Sequence, residues 1–177
     1  DVALAEALAD DPQLVVICAQ IRDPGNAGTV IRCADAFGAD AVILSSDSVE
    51  VYNPKTVRAS VGSIFHLPLV EGVDLAEAID ACRAAGLQVF ATDGESGTEL
   101  TDLTDRLAQP TAWVMGNESW GLPTEHLQLA DTTVAVPISV PPRKRPRNRR
   151  LPVTPPPTRA GFRPSSSQWV RPPPGGR

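Results

Sequence analysis

LVVICAQIRDPGNAGTVIRCADAFGADAVIL, residues 14–44, carries the fold in outline. LVVICA (14–19) is a short continuous apolar run without polar alternation, the pattern of a strand buried on both faces. A Pro-Gly turn then leads to Asn26, a residue type favoured at helix N-caps, and the helix it opens runs from about Ala27 to Phe37. Val30, Ile31, Ala34 and Phe37 fall on one face of that helix, and Gly38 supplies its stop. AVIL (41–44) is the next strand. Strand, helix and strand in this order are the unit of a parallel sheet.

The alternation continues down the chain. Tyr52-Asn53-Pro54 leads into a helix over 55–61, and IFHLPLV (64–70) reads as a strand weakened by Pro68. DLAEAIDACRAA (74–85) is an amphipathic helix capped by Asp74 and stopped by Gly86. LQVFAT (87–92), TAWVM (111–115) and TTVAV (132–136) read as strands, with a short helix over 123–129. The expected class is therefore α/β, a mostly parallel sheet with helices on both faces. Ligands of such sheets sit at the carboxyl ends of the strands. Asp93-Gly94-Glu95-Ser96-Gly97, Gly116-Asn117-Glu118-Ser119-Trp120-Gly121 and the Pro-Gly-Asn turn all follow strands and are rich in small or amide residues. They suit close backbone approach to a ligand.

The net charge of −5 conceals a division. Residues 1–139 hold all 21 acidic residues and only Arg22, Arg32, Lys55, Arg58, Arg83 and Arg106 as bases. Residues 140–177 hold the other ten of the 16 basic residues and no acid. No apolar run approaches the ~20 residues of a membrane-spanning helix. Cys18, Cys33 and Cys82 stand apart in apolar stretches, which points to buried thiols in the cytoplasm rather than disulfides or a metal site. The chain begins at Asp1 without an initiating Met, so further sequence upstream is expected. There is no Gly-x-Gly-x-x-Gly after the first strand, no phosphate-loop Gly-Lys-Ser/Thr and no Gly-x-Ser-x-Gly elbow. His66 and His126 have no metal-ligand neighbours in sequence.

Taken singly, the candidate residues have two readings each. Asn26 serves as an N-cap worth about 1 kcal/mol, or is presented to a ligand. Arg32, off the apolar stripe, pairs with Asp35 for roughly a few tenths of a kcal/mol, or grips an anion. Glu118, between Gly116 and Gly121, is a solvated turn residue or a carboxylate with a charged partner. For Trp120 the reading is a cover for the core edge.

Taken together and in order, NAGTVIRCADAFGAD (26–40), FATDGESGT (90–98), WVMGNESWGLP (113–123) and DTTVAVPI (131–138) resemble the successive motifs of the SpoU/TrmH-like RNA ribose 2′-O-methyltransferases, of the SPOUT class. The resemblance covers about 14–138. It implies a trefoil-knotted α/β domain, S-adenosylmethionine as cofactor, a ribose 2′-hydroxyl of ribosomal or transfer RNA as substrate, and a homodimer with the pocket near the subunit interface. By position it implies that Asn26, Arg32 and Glu118 are catalytic. Thr92, Gly94, Gly116, Asn117, Gly121, Val136 and Ile138 are implied for the cofactor. No metal and no membrane are implied.

After Ile138 the pattern breaks. The family continues with a Ser-Leu-Asn stretch opening a long helix that closes the cofactor pocket and completes the knot. Here 11 of the chain's 18 prolines lie between Val140 and Arg177. Proline costs about 3 kcal/mol inside a helix, so the expected organisation is a methyltransferase domain over 1–139 and an Arg/Pro-rich disordered tail over 140–177. The knot is then incomplete, and cofactor binding, dimerisation and transfer are weakened. A shifted reading frame and a genuine basic tail that holds RNA phosphates both account for this composition. The tail also keeps a second function open, that of a non-catalytic RNA-binding protein.

Overall fold

The computed structural model describes residues 1–117 and 119–137. Glu118, Ile138, the tail over 140–177, the domain division at 139 and the state of the knot lie outside the described residues.

Six parallel strands form one sheet: β1 (Leu14–Cys18), β2 (Ala41–Ser45), β3 (Leu69–Val73), β4 (Gln88–Thr92), β5 (Thr111–Met115) and β6 (Thr132–Val134). Their order is β3-β2-β1-β5-β4-β6, and every pairing is parallel. The chain therefore builds outward from β1 in one direction, then restarts on the other side of it. Register pairs Val15 with Ala41 on one side and with Ala112 on the other.

Strand alternation divides the core in two. Val15, Ile17, Ile43, Val89 and Val114 face α4 (Leu75–Ala84) and the short N-terminal α1 (Leu4–Ala7). Val16, Cys18, Val42 and Leu44 face α2 (Pro24–Ala36), with α3 (Pro54–Ser60) packed on α2. At the far edge on this second side, Phe90 and Val134 are covered by Leu103 of a 3₁₀ turn, Leu100–Leu103, and Phe90 meets Trp113 edge-on at 5.2 Å. Strands with both faces buried are why the sequence shows unbroken apolar runs. Among the described residues no helix is long and apolar enough to cross a membrane.

Four local expectations are corrected. The cap of α2 is Asp23, whose carboxylate accepts from the Asn26 N–H (3.0 Å). Pro24 then occupies the first helical turn, where its missing N–H costs nothing. Phe37 lies past the last turn of α2 and is 81% exposed instead of buried. Cys33, on the far side of α2 from Ile31, is exposed. Burial pushes the other two thiols up, Cys18 to about 12 and Cys82 to about 11, so neither is nucleophilic near neutral pH. Finally, the segment 64–70 splits. A 3₁₀ turn occupies Ser63–Phe65, and β3 starts only after Pro68, whose carbonyl accepts from the Val42 N–H (3.1 Å).

The end of the sheet opposite the strand carboxyl termini is tied by Asp131. Its carboxylate accepts from the Val89 N–H (2.7 Å) and from Arg83 (2.7 Å), at the last turn of α4. Burial raises this carboxyl, but the Val89 N–H, Arg83 and the charge of Arg106 outweigh it, and the net shift is downward. Asp131→Ala strands the N–H of the fully buried Val89, and a loss of about 1–3 kcal/mol is expected in urea unfolding near pH 7. A carboxyl whose folded pKa is depressed contributes most above its unfolded value, about 3.9, and loses that contribution as pH falls through the folded one. The gap between variant and parent should therefore narrow below about pH 4; a gap that widens there contradicts this role.

Candidate functional site

At the carboxyl ends of β4, β5 and β6 lies a cavity of about 240 Å³. Thr92, Asp93 and Gly94 line it from the end of β4, Gly116, Asn117 and Gly121 from the loop after β5, and Val134 and Val136 from β6 and beyond. Six of the seven residues implied for the cofactor meet here: Thr92, Gly94, Gly116, Asn117, Gly121 and Val136. The seventh, Ile138, lies outside the described residues. Asp93 and Val134 complete the lining. Asp93 sits inside the quoted FATDGESGT motif, and Val134 follows from its place at the end of a strand.

Each wall has a local cause. The loop after β5 closes on itself, Asn117 N–H to Gly121 carbonyl (3.1 Å) and Gly121 N–H to Asn117 carbonyl (2.7 Å). That closure requires Gly121 at φ +71°. It also requires Gly116, where an added Cβ would lie 2.6 Å from the Gly121 carbonyl carbon. The Asn117 side chain is spent on structure. Its Nδ2 donates to the Gln20 carbonyl (3.1 Å) and its Oδ1 accepts from the Ser119 N–H (2.8 Å), tying the β5 loop to the segment after β1. Thr92 Oγ1 donates to the Val114 carbonyl (3.2 Å), and the Asp93 N–H donates to the Val134 carbonyl (3.0 Å). Ser96 Oγ reaches the Thr133 carbonyl (2.8 Å), so the loop after β4 is laced along β6. By contrast, a Cβ on Gly94 would meet nothing within 4 Å, which leaves open space over its backbone. Glycines and valines beside Thr92, Asp93 and Asn117 give the cleft an apolar wall with main-chain polar atoms within reach of a small ligand.

Asn26 and Arg32 are not among the residues that line this cavity. Both are exposed on α2. Since Asp23 caps the helix, the Asn26 side chain is not consumed by capping. Arg32 does not pair with Asp35 either. Asp35 instead bonds His66 Nδ1 (3.1 Å), and Ser63 and His66 hold its carboxyl below the usual carboxylate range. Among the described residues Arg32 has no ion pair.

The chain is 35% identical over 133 residues to the 23S rRNA (guanosine(2553)-2′-O)-methyltransferase RlmP of Bacillus subtilis, covering 75% of this chain and 52% of that protein. It is 36% identical over 151 residues to the 23S rRNA (uridine(2479)-2′-O)-methyltransferase of Streptomyces viridochromogenes, covering 78% and 52%. The structure superposes on the SpoU methyltransferase AviRb from Streptomyces viridochromogenes in complex with AdoMet, with a TM-score of 0.68 and 34% identity over 76% of this chain and 52% of the other. The chain thus spans about half the length of the relatives it matches. Residues 13–141, from the first buried strand through the cavity-lining segment after β6, match the SpoU rRNA Methylase family, and the chain belongs to that family.

Proposed function

We propose that this chain transfers a methyl group from S-adenosylmethionine to a ribose 2′-hydroxyl of ribosomal or transfer RNA, with activity weakened by the proline-rich end. The observation that carries this is the convergence of Thr92, Gly94, Gly116 and Val136, from three strand ends, on one cleft in a chain of this family. The cofactor, when bound, supplies an electrophilic methyl on a sulfonium. What the protein adds is placement, because an in-line displacement gains most from holding donor and hydroxyl together. Val134 and Val136 offer an apolar wall, and Gly94 and Gly116 let the ligand approach backbone. Arg32 grips a phosphate of the RNA in bidentate fashion and stabilises charge at the reacting oxygen. A guanidinium presents donors and no acceptor, so Arg32 is not the group that takes the hydroxyl proton. Asn26 orients Arg32 or the ribose, and Glu118 fixes one of them by a charge-assisted hydrogen bond.

Because Asn26 and Arg32 stand outside the cavity lining, a second copy that faces α2 toward the cleft is part of this reading. Phe37, Val61 and Phe65, all more than 70% exposed on the α2–α3 side, favour such a dimer. A cytoplasmic setting is part of the same proposal.

Calorimetric titration with S-adenosylmethionine tests the reading: saturable binding at one site per chain is expected, and replacing the residues after 139 with a relative's C-terminal segment should tighten it. Absence of binding in both forms defeats the enzymatic reading and leaves the non-catalytic RNA binder.

A further inference from the structure

The body of the chain is acidic, and three of its six cations are engaged by neighbouring side chains. Lys55 bonds Asp23 (2.8 Å), Arg83 bonds Asp131 (2.7 Å), and Arg106 donates to Gln88 and Thr132 while lying 4.7 Å from the centre of the Phe90 ring. Arg22 has neither a carboxylate nor a hydrogen-bonding partner among the described residues. Its guanidinium lies instead over the ring of Trp120, 5.5 Å from the centre. Trp120 is 56% exposed.

The position of this pair gives it meaning. Trp120 immediately precedes Gly121, which lines the cleft, within a loop closed by the Asn117–Gly121 bonds. Arg22 lies between Gln20, which accepts from the Asn117 side chain, and Asp23, which caps α2. The two loops are tied together independently of the stacked pair. The contact between Trp120 and Arg22 is therefore not what holds them, and an exposed indole in a fixed loop is presented rather than hidden.

We propose that Trp120 and Arg22 form a stacking platform at the rim of the cleft for a base of single-stranded RNA next to the nucleotide that is methylated. The placement beside a methylated nucleotide rests on the function proposed above. Every base has a π-face, so an indole accepts any of them, and the adjacent guanidinium meets the phosphate that follows. In a strongly acidic body this cation–aromatic pair gives a polyanion a foothold that bulk charge does not.

The test uses the full chain and a short fluorescein-labelled oligouridine, read by anisotropy, alongside calorimetry with S-adenosylmethionine. Trp120→Ala should raise the oligouridine Kd by roughly 5- to 100-fold and leave cofactor affinity unchanged. Trp120→Phe should stay within about threefold of the parent, yet lose the RNA-induced quenching of indole fluorescence that stacking produces. Equal oligouridine affinity in parent and Trp120→Ala overturns the platform, as does an absence of oligouridine binding by the parent. Cofactor binding is read separately, so its absence both here and in the form with a relative's C-terminal segment would defeat the methyltransferase reading without touching the oligouridine result.

Discussion

Arg32→Ala should lower methyl transfer by about 10²–10³-fold, the usual consequence of removing one preorganised charge-stabilising donor. The assay is incorporation of tritiated methyl groups into ribosomal RNA. It is best run on the chain whose residues after 139 are replaced by a relative's C-terminal segment, where the signal is large enough to read the loss. Stability should change by less than about 0.5 kcal/mol. Arg32 is exposed, has no ion pair among the described residues, and sits in a helix interior where alanine is at least as favourable as arginine. Arg32→Lys separates two explanations of the loss. It keeps the charge but not the planar fork, so recovery of only a small part of the activity points to bidentate phosphate contact, and full recovery to charge alone. Unchanged transfer in Arg32→Ala would remove Arg32 from the site, and a large drop in thermal stability would make its role structural.

The sequence makes the sheet legible for a simple reason. Strands buried on both faces leave unbroken apolar runs, and β1, β2, β4 and β5 fall within a residue or so of the runs at 14–19, 41–44, 87–92 and 111–115. β3 is harder to read because its neighbour Pro68 takes part through its carbonyl alone, so the apolar run and the paired strand are offset. The cap of α2 was open to misreading because both Asp23 and Asn26 are good capping residues. Pro24 decides between them, since proline belongs in the first turn and not before the cap. The cleft was legible from the rule that ligands gather at strand ends, but the roles within it were not. Asn117 looks like a ligand group in sequence, and only its partners, Gln20 and Ser119, reveal that it braces two loops. The exposure of Phe37 and Cys33 was hidden for a similar reason, because a helix stripe gives a direction but not where the helix stops.

Gly28 shows how much of the site's geometry depends on a residue with no side chain. It is buried where α2 crosses α3, and an added Cβ would lie 2.6 Å from the Thr56 carbonyl oxygen, 2.6 Å from the Ala59 Cβ and 2.9 Å from the Ser60 nitrogen. Two of these three are backbone atoms of α3, which cannot turn aside as a side chain can. Gly28→Ala must therefore push the helices apart. Overpacking of this kind costs about 1–3 kcal/mol and sometimes more, while alanine returns about 1 kcal/mol of helix propensity. With the strain at the upper end of its range, the net loss is about 2 kcal/mol, or a fall of roughly 4–8 °C in melting temperature. Gly94→Ala is the matched control, because its Cβ meets nothing within 4 Å and its melting temperature should hold. The displacement also has a functional side. Asn26 and Arg32 ride on α2 with Gly28, so Gly28→Ala should cut transfer more than it cuts cofactor binding, whose proposed residues stand at and just beyond the ends of β4, β5 and β6. An alanine variant that melts with the parent would mean that α2 and α3 are not in the contact described.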